Sequence, residues 1–326
     1  MIRVNQEIAE FKQLPSEFKK HGYFVTIKDE YAFIVSSEEF PAPFTTAPKV
    51  TKKYELFLSA LIHGNEVGGI RVLNQFAKQI LKERRKIPHS MFFCLGNIEA
   101  AQKGVRFIER DLNRSFLSPS KELLEEKLAQ RIGNYAKDCV YCIDIHQTNQ
   151  DCMTPFMIFF YTPKRMSFAR HLDKDIPAII SITERHKDGS TLDYFCYKNN
   201  TVNATIELGV VGFHDHQTEF GVKFLDKFFT LPDVKPTKEL TNTFKVKETV
   251  YWFEERILLN PGYLNFSKIS KNEILGKKGK EDYQSPADGF MLFPKYGVIA
   301  EKTKEVFTIA QPITDIEDLK KPNKNS

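Results

Sequence analysis

A chain of 326 residues, 41% of them hydrophobic, can bury a full core and is expected to divide into two domains. The net charge of +5 and pI near 8.7 come from Lys and Arg spread along the whole sequence, so the basic balance reads as solvated surface and signals no nucleic-acid partner. The start, Met1-Ile2-Arg3-Val4-Asn5-Gln6-Glu7, lacks the apolar core of a signal peptide, no apolar run is long enough to cross a bilayer, and 5 cysteines suit a reducing compartment; the expectation is a cytoplasmic protein with no membrane partner.

In chain order, residues 1–50 are mixed, carry no clear assignment, and end in the loop-like Pro41-Ala42-Pro43-Phe44-Thr45-Thr46-Ala47-Pro48. Residues 54–62 then read as a buried strand, and residues 66–84 as a helix with Ile70, Leu73, Phe76, Ile80 and Leu81 on one apolar stripe. A second strand is expected at 91–95, an amphipathic helix at 121–136 and a third strand at 139–145. Within that third strand the three-residue offset sends Cys139 and Cys142 to opposite faces as buried thiols. Further strands are expected at 156–161, 178–182 and 202–208, and helices at 192–198 and 219–229. Such alternation predicts a mostly parallel sheet covered by helices on both faces, with sites beyond the carboxyl ends of its strands. After Leu231-Pro232-Asp233-Val234-Lys235-Pro236 the pattern changes to short strands at 249–254, 262–266, 290–293 and 306–309, separated by turns such as Gly276-Lys277-Lys278-Gly279-Lys280. The final Lys320-Lys321-Pro322-Asn323-Lys324-Asn325-Ser326 is expected to be a frayed tail.

Chemistry enters at the ends of the predicted strands. His63-Gly64-Asn65-Glu66 follows the first strand directly, and an imidazole and a carboxylate three residues apart reach one ion if the backbone turns sharply between them. Glu66 would then open the next helix, where the macrodipole favours a carboxylate. With 8 His and 42 acidic residues in 326 positions, the spacing alone is expected about once by chance, so its strand-turn-helix setting and the other residues must carry the case. His146 ends the third strand with Asp144 two residues earlier on the same face, able to hold a ligand side chain; the plain alternative is a histidine satisfied by a backbone carbonyl. Arg106-Phe107-Ile108-Glu109-Arg110-Asp111-Leu112-Asn113-Arg114 is too polar for a core element and rich in planar donors that suit a carboxylate, or else is a surface loop braced by its own ion pairs. Glu207 is a lone carboxylate near the end of an apolar strand, where burial would raise its pKa toward the range of a general base. His214-Asp215-His216, just beyond it, reads as a solvated loop.

Taken in order, His63-x-x-Glu66, Arg106 with Asp111-Leu112-Asn113-Arg114, Asp144-x-His146 and Ile206-Glu207-Leu208-Gly209 resemble the succinylglutamate desuccinylase and aspartoacylase family of zinc-dependent hydrolases, which shares the zinc carboxypeptidase fold. The resemblance covers roughly residues 54–230, and Ser285-Pro286-Ala287-Asp288-Gly289-Phe290-Met291-Leu292-Phe293-Pro294 is similar to the C-terminal β domain of the desuccinylase branch. It implies one zinc per chain bound by His63, Glu66 and His146, with Asp144 and Asp111 supporting those side chains. It further implies Glu207 as general acid/base, Arg106 polarising the scissile carbonyl, and Asn113 with Arg114 gripping the α-carboxylate of the amino-acid product. Where the aspartoacylase branch binds the substrate's side-chain carboxylate through an arginine, the similar stretch Leu192-Asp193-Tyr194-Phe195-Cys196-Tyr197-Lys198 offers Lys198, and that branch's C-terminal tyrosine segment is not recognisable. Both departures turn the expectation away from aspartate-derived substrates.

The expected architecture is an α/β catalytic domain over residues 1–235, its sheet mostly parallel or mixed with helices on both faces, followed by a small β-rich domain over 236–326. The expected activity is zinc-dependent cleavage of the amide in a small anionic N-acyl amino acid. One rival is a zinc carboxypeptidase acting on peptide C-termini. Another is a non-catalytic homologue that binds a metal or an acidic metabolite, against which the full set His63, Glu66, His146, Arg106 and Glu207 counts. Nothing in the sequence fixes the oligomeric state.

Overall fold

The chain opens with a helix, α1 (Ile2–Lys20), whose buried residues Val4, Ile8, Phe11, Leu14 and Phe18 recur at three- and four-residue intervals along one face. In this computed structural model the described residues are 2–39, 44–47, 50–52, 54–87, 90–181, 190–231, 240–252, 254–296 and 305–315. The expected boundary at 232–236 and the expected tail at 320–326 lie outside them. A hairpin of β1 (Phe24–Asp29) and β2 (Ala32–Ser36) follows α1, then a separate short pair, β3 (Phe44–Ala47) and β4 (Val50–Lys52). The alternating part runs β5 (Tyr54–Ala60), α2 (Gly68–Glu83), β6 (Met91–Leu95), α3 (Ile98–Lys103), α4 (Leu124–Ala136), β7 (Cys139–Thr148) and β8 (Phe156–Phe160). It continues with α5 (Pro163–Leu172), β9 (Ala178–Ser181), α6 (Leu192–Lys198), β10 (Val202–Val210) and α7 (Asp215–Asp226). The last part is all strand: β11 (Thr243–Tyr251), β12 (Ile257–Leu259), β13 (Ser267–Ile269), β14 (Ile274–Lys278), β15 (Glu281–Gln284), β16 (Gly289–Leu292) and β17 (Glu305–Pro312).

Twelve of these strands form one sheet in the order β1-β2-β6-β5-β7-β10-β8-β9-β11-β17-β16-β13. Its centre, β6-β5-β7-β10, is parallel, while β2 against β6 and β8 against β10 are antiparallel, so the sheet is mixed as expected. A central strand with helices over both faces must be apolar on both sides, and β7 is buried at all ten positions. One face carries the larger apolar cluster, with α1, α2, α5 and α7 contributing Phe18, Phe76, Phe168 and Phe224. The other face is covered by α4 and α6 through Ile132, Ala136, Leu192 and Cys196. Among the described residues no helix is long and apolar enough to cross a membrane.

Several local expectations need correction. Helix α2 begins at Gly68, two residues after Glu66, because the chain spends Glu66 in the preceding turn. Cys139 shares an apolar cluster with Cys142 instead of facing away from it, since at the first residue of β7 its thiol turns back to the Tyr135 carbonyl oxygen at 3.4 Å. Residues 262–266 form no strand: Phe266 has a φ of 70°, outside extended geometry, and pairing starts at Ser267. The expected turn at 276–280 is mostly strand, with Lys277 opposite Asp282 and Lys278 opposite Glu281, and the chain reverses only at Gly279, where φ is 57°.

Candidate metal centre

Three neighbouring parallel strands bring the site together. Ala60 of β5 pairs with Ile145 of β7, and His146 of β7 pairs with Glu207 of β10, so the chain leaves all three strands at the same sheet edge. Past β5 the backbone turns at Leu61, whose φ of 62° is left-handed and costs a residue with a side chain roughly 1–2 kcal/mol. Its carbonyl accepts from Asn97 N at 2.6 Å, which helps hold the turn. Gly64 is required by proximity: a Cβ there would lie 2.4 Å from the Ala100 carbonyl carbon. The turn closes with Glu66 N donating to the His63 carbonyl at 3.1 Å.

This turn aims both imidazoles at one carboxylate. His63 Nδ1 lies 2.7 Å from Glu66 Oε1 and His146 Nδ1 lies 2.9 Å from Glu66 Oε2, all three side chains being buried. The far nitrogen of each ring also meets a carboxylate, His146 Nε2 at 2.6 Å from Asp144 Oδ2 and His63 Nε2 at 3.1 Å from Asp111 Oδ1. Ser59 Oγ donates to the other oxygen of Asp144 at 2.6 Å. Burial works to raise the Glu66 carboxyl, but the two histidines outweigh it and hold it well below the usual carboxylate range. Burial likewise works against the charge on His146, and Asp144 and Glu66 overcome it and raise that imidazole well above its ordinary value.

Arg106 reaches the same cluster, donating from Nη1 to Glu66 Oε1 at 2.9 Å and from Nε to Asp111 Oδ2 at 3.3 Å, with Nη2 2.8 Å from His63 Nε2. Asp111 also accepts from Asn113 N at 2.8 Å, which starts the short turn carrying Asn113 and Arg114. Burial opposes its charge, yet the His63 ring and the Arg106 guanidinium hold its carboxyl far below the usual range. Asn113 Oδ1 accepts from Leu192 N at 2.9 Å, and Arg114 Nη1 donates to the Asn113 carbonyl at 2.7 Å.

Lys198, expected as a substrate residue, is not brought to the cluster. Helix α6 starts at the Asn113 side and runs toward the opposite end of the strands, where Thr201 Oγ1 donates to the carbonyls of Ala136 and Cys139. The exposed Lys198 ammonium sits 5.9 Å from the centroid of Tyr194 on that side.

Glu207 is 7% exposed and its Oε2 has no hydrogen-bond partner among the described residues. Burial pushes its carboxyl up to about 8, against the pull of His146 and Arg106. Gln147, which the sequence reading passed over, braces this end of the sheet: its backbone N donates to Glu66 Oε2 at 3.1 Å, and its Oε1 accepts from Gly68 N at 2.8 Å and Gly212 N at 3.3 Å. Its place directly after His146, in a strand that begins with the apolar Cys139-Val140-Tyr141-Cys142-Ile143, was the signal available.

The donor set fits a divalent metal with nitrogen and oxygen preference. Each of His63, Glu66 and His146 offers a ligand atom within 4.8 Å of the others. Two imidazoles and one carboxylate match the three protein ligands of a catalytic zinc site, and ring nitrogens anchored on carboxylates are the usual support of such ligands. His63 Nδ1, although 2.7 Å from Glu66 Oε1, is buried and makes no hydrogen bond among the described residues, as a ligand nitrogen would.

The catalytic domain of succinylglutamate desuccinylase and aspartoacylase, as a family model, matches residues 52–228. A succinylglutamate desuccinylase of Shewanella woodyi is 25% identical across 96% of this chain and 93% of its own length. Among solved structures, a succinylglutamate desuccinylase from Vibrio parahaemolyticus aligns with a TM-score of 0.68 at 15% identity, covering 90% of this chain and 89% of its own. Murine aminoacylase 3 aligns with a TM-score of 0.61 at 15% identity, covering 80% and 96%. Likeness at these structural identities concerns the fold.

Proposed function

Because the chain belongs to the succinylglutamate desuccinylase/aspartoacylase family, we propose that it hydrolyses the amide bond of a small anionic N-acyl amino acid, with one zinc ion held by His63, Glu66 and His146. The observation that carries this reading is the convergence of His63 Nδ1 and His146 Nδ1 on Glu66 beside a buried carboxylate, Glu207, with an unpartnered oxygen. When bound, the metal supplies positive charge that activates water and stabilises developing negative charge. Glu207 takes the proton of the attacking water and returns it to the leaving amine nitrogen. Arg106, held by Asp111, donates to the scissile carbonyl oxygen as that atom gains charge. Asn113, its Oδ1 engaged by Leu192 N, keeps its amide nitrogen for donation, and with Arg114 it grips the α-carboxylate of the product.

We also propose a division near residue 235 into the hydrolase proper, residues 1–235, and a small β-rich unit, residues 236–326. Support comes from a separate apolar cluster, starting within β11, that includes Val250, Ile257, Leu275, Met291 and Phe307. The strands of that region nevertheless extend the main sheet through β9 and β11.

Metal analysis together with hydrolysis assays tests the function. One zinc per chain is expected in the wild-type protein and much less in His63→Ala and His146→Ala. N-succinyl or N-acetyl amino acids should be cleaved in preference to dipeptides and to substrates whose α-carboxylate is amidated. Full zinc in both variants would remove the ligand assignment, and equal turnover of free-acid and amidated substrates would remove the carboxylate grip.

A further inference from the structure

Helix α4 begins with two neighbouring acids, Glu125 and Glu126, and they behave differently. Glu126 turns back on the start of its own helix, accepting from Glu122 N at 3.1 Å and Leu123 N at 3.2 Å. Glu125 is fully buried and points away from it. Its Oε1 accepts from Ile108 N at 2.7 Å and Asn97 Nδ2 at 2.8 Å, and its Oε2 accepts from Glu109 N and Arg110 N, both at 3.2 Å. A carboxylate has about four acceptor positions, and all four here face donors. An amide at this place would set its own NH₂ against at least one of them.

The three backbone donors lie between Arg106 and Asp111, the two residues by which this loop reaches His63 and Glu66. The fourth donor, Asn97, is tied through its backbone N to the Leu61 carbonyl at 2.6 Å, two residues before His63. Gly64 N meanwhile donates to the Arg106 carbonyl at 2.9 Å. One buried carboxylate therefore fastens the middle of the loop to the strand end that carries the first histidine. We propose that Glu125 is a positioning residue for the hydrolysis: it sets where Arg106 and Asp111 stand relative to His63 while touching neither substrate nor metal ligand. The proposal rests on the functional reading given above.

The test uses Glu125→Gln and Glu125→Ala in the full-length, zinc-loaded protein, with Tyr141, Ile143 and Ile145 of β7 as an internal check of folding. Amide hydrogen exchange at Ile108, Glu109 and Arg110 should accelerate about tenfold or more in both variants, while the β7 amides keep wild-type protection. For the N-acyl amino acid that wild type cleaves, kcat should fall on the order of 10²-fold with KM changed less than about threefold, since a displacement near 1 Å at the reacting centre has that effect. Placed in an Arg106→Ala background, Glu125→Gln should cost less than about threefold more, because both changes remove the same contribution. Losses that multiply in the double variant would assign Glu125 to general stability and overturn the proposal, as would unchanged exchange at the three amides. Exchange is read without substrate, so a wild-type protein that cleaved no N-acyl amino acid would count against the functional reading and leave the loop measurement decisive for Glu125.

Discussion

Glu207 occupies a position where an ionised side chain is expensive, buried at the end of β10 with one oxygen unpartnered. That cost fits the proton-transfer role proposed above, because an amide of the same shape would occupy the position without the desolvation cost of a charge. Glu207→Gln is therefore expected to keep its fold and its zinc content while kcat drops by a factor on the order of 10² to 10⁴, the usual worth of general acid/base catalysis. Circular dichroism, metal analysis and steady-state rates check it together, and near-normal turnover would hand the proton to another group. His63 and His146 differ from Glu207 in that each brings its Nδ1 to Glu66 as a proposed metal ligand, so removing either should empty the site of metal and not merely slow turnover.

At the scale of elements, the parallel centre was legible because β5, β6, β7 and β10 are rich in apolar residues and the candidate site residues fall at or just past their C-terminal ends. Helix α6 was read to the residue, since Thr191 caps it by accepting from Tyr194 N at 3.1 Å. Helix α1 was missed although its apolar spacing is regular: Pro15 inside it is a local signal against helix, and packing of Phe11 and Phe18 on Phe33 prevails. Strand β14 was hidden by Gly276, Lys277 and Lys278, which read as a turn, but Gly276 is buried against β12 and the two lysines are exposed on a hairpin, with Lys277 Nζ 2.5 Å from Asp282 Oδ1. The order of site residues along the chain was readable. That Lys198 ends up at the wrong end of a helix, and that Glu125 turns inward, depends on tertiary packing. The junction of α6 with β10 makes its own prediction. Asn203 Nδ2 donates to Asp193 Oδ1, Arg165 Nε donates to Asn203 Oδ1 at 3.0 Å, and burial pushes the Asp193 carboxyl from 3.8 up to about 7. The fold thus favours its neutral form, a contribution complete below the unfolded value of 3.8 and lost as pH rises through about 7. At about 1.4 kcal/mol per pKa unit, Asp193→Asn should gain on wild type by a few kcal/mol between pH 4 and pH 7, read from urea midpoints across that range. Parallel profiles for the two proteins would refute it.

Across the whole molecule, one sheet carries both the candidate metal centre and the strands of the C-terminal region. A second link passes through Asn265, fully buried, whose Nδ2 donates to the carbonyls of Gln150 and Asp151 just after β7 and whose Oδ1 accepts from Phe293 N at 2.6 Å. The half-buried Cys152 bridges to Asn265 at this seam, whereas Cys94, Cys139, Cys142 and Cys196 are at most 1% exposed within the apolar layer under α4 and α6. Burial pushes the Cys94 and Cys152 thiols up to about 12, so neither reacts quickly in place. Thiol chemistry then becomes a pair of clocks. A maleimide should label Cys152 at the rate at which the seam opens and the other four only as the whole sheet unfolds, giving two well-separated phases by mass spectrometry. A single shared rate for all five would mean that the seam and the interior come apart together.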